Sequence, residues 1–204
     1  KVREQLTIRA VYIIGRNYDT SNPKYRLEIE NVGDTTVEVT KIRVRDADKD
    51  VREIGVSWSL KPGRLGYLDF ETDLLWEIGE PLDIWVFTKA GGTYEATSMG
   101  VKAWYDYALI IWDVSKRGNI YYIDLLNIGK GRLTVTKIGL YNGTTWGWDE
   151  TPDGKESIII EAGEWYWDVD VGADETGIDV SKGDTITVKV VTDQGSWEGK
   201  LTVH

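Results

Sequence analysis

The stretch RLEIENVGDTTVEVTKIRV, Arg26 to Val44, occurs again without a gap as YIDLLNIGKGRLTVTKIGL, Tyr122 to Leu140, about 96 residues further on. A chain that repeats a segment at this spacing builds one supersecondary unit twice. Asn31 and Gly33 fall on Asn127 and Gly129, and Val39, Thr40, Lys41 and Ile42 fall on Val135, Thr136, Lys137 and Ile138. Apolar residues alternate on both sides of the Asn-x-Gly break: Leu27 and Ile29 before it, Val37, Val39, Ile42 and Val44 after it. Period-two alternation predicts two half-buried strands joined by a short loop. The parity changes at Thr40-Lys41, which predicts a bulge there.

The duplication divides the 204 residues into units 1–102 and 103–204, each about 100 residues long, the size of an immunoglobulin-like sandwich. The expected fold is therefore all-β: two tandem immunoglobulin-like antiparallel β-sandwiches of about seven strands each, with at most one helical turn near Asp73 to Gly79. Gln5 to Gly15 opens the first unit. Leu6, Ile8, Ala10 and Tyr12 share one face of it and Val11 and Ile13 the other, so the strand reads as apolar on both sides. Trp104 to Asp113 opens the second unit. No Gly/Pro/Ser-rich linker separates Val101 from Trp104, which predicts a stiff junction.

Charge and residue usage remove whole classes of function. With 34 acidic against 24 basic residues and a net charge of −10, the surface repels phosphate backbones and anionic lipid, so no nucleic-acid partner is expected. Cysteine is absent and the single histidine is His204, the last residue, which leaves no thiol nucleophile, His-based triad or Cys/His zinc site. No apolar run approaches the ~20 residues that span a bilayer. Tryptophan is abundant, at 10 residues against 2 phenylalanines, and the scarcity of Met and Cys beside many charges of both signs leans towards a heat-adapted source.

In both units the order is L-x-I-x-N-x-G-x-x-x-V-x-V-x-x-I, a Pro/Gly turn, then G-D-x-x-x-V-x-V-x-T and a closing strand, with substitutions such as Glu80 for the Asp. It is carried by Leu27, Ile29, Asn31, Gly33, Val37, Val39 and Ile42 with Gly79, Ile84, Val86 and Thr88. The second copy has Ile123, Leu125, Asn127, Gly129, Leu133, Val135 and Ile138 with Gly183, Val188, Val190 and Thr192. This pattern resembles the β-sandwich domain of archaeal type IV filament proteins, the pilins and archaellins. The resemblance implies an N-terminal hydrophobic helix ahead of Lys1, with Lys1 to Gln5 as its tail. It also implies self-association into a filament, and a location at the cell surface.

Four sets of residues are candidate sites. Asp46, Asp48 and Asp50 have the spacing of the first three oxygen ligands of an EF-hand loop, but Val51 stands in the glycine position and Ser57 in that of the bidentate glutamate. A solvated hairpin tip is the first reading and a weak Ca²⁺ site the second; no other cofactor is expected. Trp165 and Trp167 share parity with Val169 and Val171 and read as core, as do Trp58, Trp85 and Trp112. Trp146 and Trp148, separated by Gly147 beside a predicted turn, read either as an exposed recognition or subunit contact or as packing over a sandwich edge. Asn142-Gly143-Thr144 is an N-glycosylation acceptor by pattern. Glu150, Asp153, Glu156, Asp168 and Asp170 gather near the aromatic hairpin, but a thin sandwich rarely builds the cleft that paired-carboxylate catalysis needs.

The expectation is thus an extracellular structural protein, not an enzyme: a subunit or ectodomain of an archaeal pilin-like surface filament or scaffold. The alternative is a non-catalytic adhesion module that binds carbohydrate or protein through the Trp146/Trp148 hairpin. Association through an exposed Gln5 to Gly15 edge is a further expectation.

Overall fold

The computed structural model describes residues 3–204; Lys1 and Val2, the start of the segment read as a helix tail, lie outside the described residues. The chain forms two compact units, one ending at Trp104 and the other comprising Tyr18–Thr20 and Tyr105–His204. The division falls after Trp104 rather than after residue 102. Among the described residues no helix is long and apolar enough to cross a membrane.

The first unit holds β1 (Leu6–Asn17), β2 (Asn22–Asn31), β3 (Val37–Arg45), β4 (Val51–Leu60), β5 (Leu65–Glu71), β6 (Pro81–Thr88) and β7 (Thr93–Ala103). They form one mixed sheet in the order β4-β3-β6-β7-β1-β2-β5. Every pairing is antiparallel except β1 with β7, which is parallel over Val11–Val101 to Ile13–Ala103. β7 serves two neighbours, pairing with β6 up to Gly100 and with β1 afterwards. Ser98, at φ 49, marks the place where it turns between them. The edges β4 and β5 meet at one end because Gly66 has no Cβ and the Trp58 ring lies in its place, so the sheet curls almost into a barrel.

β1 is not the two-faced edge strand expected. A register shift between Ile8 and Ala10 inserts one residue, so Val11 and Ile13 join Leu6 and Ile8 in the core and Tyr12 turns outward. It lies between β2 and β7, and that placement removes it as a strand to be donated.

The second unit holds β8 (Leu109–Arg117), β9 (Ile120–Asn127), β10 (Leu133–Tyr141), β11 (Trp146–Asp149), β12 (Ile158–Ile160), β13 (Trp165–Gly172), β14 (Thr185–Thr192) and β15 (Gly195–Thr202). A single helical turn, α1 (Ala173–Thr176), follows β13. The helical turn expected near Asp73 to Gly79 is absent there; α1 lies in the corresponding connection of the other copy. One sheet runs β13-β9-β8 and the other β11-β10-β14-β15, with β12 also on β10. Leu109, Ile111, Ile123 and Leu125 from the first meet Val135, Ile138, Val188 and Val190 from the second, burying side chains worth ~1.5–3 kcal/mol each. The two sheets touch where Lys116 N–H donates to the His204 carbonyl (3.0 Å) and His204 N–H to that of Val114 (3.1 Å), the place where β1 meets β7 in the first copy. Residues 104–108 are not strand, so the strand that opens the second unit starts at Leu109 rather than at Trp104.

The repeated Asn-x-Gly has a structural cause. Asn31 is fully buried; its Nδ2 donates to the carbonyls of Thr35 and Leu60, both at 2.8 Å, and its Oδ1 accepts from Gly33 N–H at 3.0 Å. Asn127, equally buried, bonds Gly131, Ile160 and Gly129 in the same way, at 2.9 Å each. The chain entering each unit passes over the glycine. A Cβ on Gly33 would overlap the Arg3 carbonyl, and one on Gly129 would sit 2.8 Å from Ala108 N. A second anchor repeats with the same offset. Tyr25 Oη donates to Leu74 O and accepts from Trp76 N–H, both at 2.9 Å, while Tyr121 Oη bonds Ile178 O (2.9 Å) and Val180 N–H (3.1 Å). The bulge expected at Thr40-Lys41 is present as a register shift in β3, and β10 carries another at the matching Thr136.

Candidate recognition site

β10 and β11 form a hairpin in which Tyr141 faces Trp146 and Gly139 faces Trp148. Alternation along Trp146-Gly147-Trp148-Asp149 sends both indoles outward and the glycine and carboxylate inward, and each member has a reason. Outward, the benzo ring of Trp148 fills the space above Gly139, where a Cβ would lie 2.7 Å from it. Inward, a Cβ on Gly147 would overlap the Thr176 carbonyl of α1, so glycine lets α1 seat against β11. Asp149, buried, accepts from Thr151 N–H (2.9 Å) and Gly172 N–H (3.2 Å) and ties the end of β11 to the end of β13.

The outward result is a row of three rings. Tyr141 and Trp146 stack with centroids 5.2 Å apart and planes 28° apart, and Trp146 and Trp148 with 5.6 Å and 19°. Lys137 Nζ lies 4.8 Å from the Trp148 centroid and 3.7 Å from Glu150. Trp146, 38% exposed, therefore has a ring on each side, and its free part is the indole edge. Tyr141 escaped the sequence reading; the register across a four-residue hairpin turn would have pointed to it. In the first copy the equivalent face of β3 and β6 is charged. Lys41 and Arg43 lie over Phe87 at 4.4 and 5.0 Å, Arg45 over Trp85 at 5.2 Å, and Glu53 pairs with Arg43. The two copies share their buried anchors and differ on this face.

The other tryptophans depart from expectation. Among the described residues Trp76, in the β5–β6 connection, is the tryptophan in the core, while Trp58, Trp85 and Trp112 are only half-buried. Trp165 and Trp167 are not core either. An extra residue between Tyr166 and Val169, with Asp168 at φ 52, flips the parity, so Val169 and Val171 point inward while Trp167 is 55% exposed. Trp167 stacks on Trp165 at 4.1 Å, and Trp112, at a bulge of β8, meets Trp165 edge-on at 5.9 Å. Asp124 Oδ1 holds the bulge by accepting Asp168 N–H at 2.9 Å. Burial, and then the charges of Asp168 and Asp113, raise the Asp124 pKa above the ordinary carboxylate value.

A cleft of about 410 Å³ opens on the inner side of β11, lined by Asn119, Asp149, Thr151, Asp170, Asp174 and Glu175 among others. Asp170 is raised, by burial first and then by Asp153 and Asp168. Asp153 is lowered by its bonds to Lys155 and to the Tyr166 hydroxyl, the latter at 2.7 Å. The cleft thus gathers carboxylates different from those grouped by sequence, sharing only Asp170 with Glu150, Asp153, Glu156 and Asp168. Among the described residues no three Asp, Glu or His side chains are placed to hold a metal, so Asp46, Asp48 and Asp50 do not form a cage. Asp46 Oδ1 instead accepts Asp50 N–H at 2.8 Å and closes its own turn. Asn142 lies exposed at the β10–β11 tip, its Oδ1 accepting the amides of Thr144 and Thr145, both at 2.9 Å.

No family model matches the chain, and no curated protein matches it. Among solved structures it is similar to a red sea bream transglutaminase, at 9% identity and TM-score 0.29 over 100% of this chain and 32% of that one. It is also similar to dimeric latent PorU from Porphyromonas gingivalis, at 11% identity and TM-score 0.32 over 98% of this chain and 20% of that one. The chain spans about a third and a fifth of the length of these two proteins.

Proposed function

We propose that this chain is a non-catalytic structural module of an extracellular, pilin-like surface assembly, built from two immunoglobulin-like β-sandwiches, and that the Tyr141–Trp146–Trp148 row is a contact with another protein subunit. The sandwich reading rests on matching connectivity: β1-β2-β5 and β4-β3-β6-β7 in the first copy correspond to β8-β9-β13 and β11-β10-β14-β15 in the second. The function is carried by the ring row itself. Trp146 has a ring on each side, so the row presents an indole edge already held in place, which costs little side-chain entropy on docking.

The test is electron microscopy of the full-length protein in its own cells beside a Trp146→Ala/Trp148→Ala variant. Assembly is expected to be lost in the variant while its circular dichroism is kept; an undiminished assembly overturns the proposal. Carbohydrate recognition is the second reading, favoured by the half-exposed Trp146 and by the Lys137–Glu150 pair at the end of the row. Titration of tryptophan fluorescence with polysaccharides separates the two, because only this reading predicts a saturable change that the double variant loses.

A further inference from the structure

We infer that Asn142 is an N-glycan attachment site, taking on its Nδ2 the reducing-end sugar of an oligosaccharide from a lipid-phosphate donor. Asn142-Gly143-Thr144 is the only Asn-x-Ser/Thr in the chain, and it falls at the tip of the β10–β11 hairpin, where residues 142–146 are all exposed. Of the other asparagines, Asn31 and Asn127 are buried with their Nδ2 groups committed to two carbonyls each.

The geometry divides the Asn142 carboxamide into a used half and an unused half. Oδ1 accepts the amides of Thr144 and Thr145, the backbone N–H of Asn142 donates to Thr145 O at 3.3 Å, and Tyr141 Oη donates to Gly143 O at 2.9 Å. Nδ2 has no partner among the described residues, and neither has the Thr144 hydroxyl, two positions on. Gly143, at φ 95, supplies the left-handed residue the turn needs. A sugar on Nδ2 therefore breaks no hydrogen bond of the fold and leaves the Oδ1 bonds in place. In the step itself the amide nitrogen bonds to the anomeric carbon and the bond from that carbon to the phosphate oxygen breaks. The lipid phosphate leaves with the electron pair, and the amide proton passes to a base of the transferase. In the first copy the corresponding turn begins with Asp46, which has no amide nitrogen to offer.

The inference rests on the extracellular reading for its occurrence in the native cell. The test therefore places the full chain behind a signal peptide in a eukaryotic secretory host, so that location is imposed, with a known glycoprotein co-secreted as a control. The intact mass is expected to exceed that of the polypeptide by one oligosaccharide, removable by peptide N-glycosidase. Asn142→Gln and Thr144→Ala should run at the polypeptide mass and Thr144→Ser should regain the shift, with the far-ultraviolet circular dichroism of all variants that of the folded wild type. An unmodified wild-type mass beside a modified control overturns the inference and leaves the extracellular reading standing. A mass shift that survives Asn142→Gln overturns it as well.

Discussion

Asn31 and Asn127 carry more of each unit than their size suggests. Each side chain uses both Nδ2 hydrogens and Oδ1 to bind three backbone groups, two in the loop that follows it and one at the end of a distant strand. Asn31→Ala leaves a glycine N–H and two carbonyls without partners, and we expect it to cost about 2–4 kcal/mol in urea unfolding, with Asn127→Ala alike. Asn→Asp should be worse at neutral pH, since it turns a carboxylate oxygen towards two carbonyl oxygens. A cost below ~1 kcal/mol for either alanine variant would mean the turns are held by something else. Tyr25 and Tyr121 act the same way through one hydroxyl each. They share the offset of the asparagines, so extending the sequence alignment by one residue would have found them.

At the scale of the strand, alternation was a good guide wherever the backbone stayed regular. β2, β3 and β6 bury every second residue as their sequences indicate, and the Thr40-Lys41 pair announced its bulge. It misled where an extra residue carried no sign. The bulges at Arg9, Trp112 and Trp167-Asp168 contain neither glycine nor proline, so β1 looked two-faced and the Trp165 row looked buried. The inward acidic cleft was illegible for another reason: it is assembled from β11, β13 and α1, which only the tertiary fold brings together. Gly147 is the pivot of that assembly. Gly147→Ala should push α1 off β11 and destabilise the second unit by roughly 2–4 kcal/mol. The measurement is denaturant unfolding followed by near-ultraviolet circular dichroism of the flanking indoles, and an alanine variant with wild-type stability would refute the close approach.

Across the molecule, the two copies divide the charge differently. In the first, Glu53, Asp69 and Asp73 are lowered by Arg43, Arg26 and Arg52, and Asp83 by the Ser98 amide and then Arg45. Groups lowered in this way stabilise the fold above their unfolded pKa, about 4, and that contribution is lost as pH falls through the lower folded values. In the second, Asp124 and Asp170 are raised, chiefly by burial, so protonation relieves them and favours the fold as pH falls, with Asp153 opposing. Calorimetry between pH 7 and pH 3 should therefore show the first unit's transition moving down further than the second's. Asn31→Ala assigns the first transition and Asn127→Ala the second; parallel movement of both would refute this division.

The matched anchors also bear on how the chain reaches its native state. Since Asn31 and Asn127 seek the same kind of backbone socket, a nascent segment from one half is chemically acceptable to the other. Near-identical neighbours are a recognised source of misassembly. Synthesis from the amino terminus separates the two in time, because the first socket is filled before the second emerges. A chain released all at once from denaturant has no such schedule, and its folding must sort the two halves by the residues in which they differ.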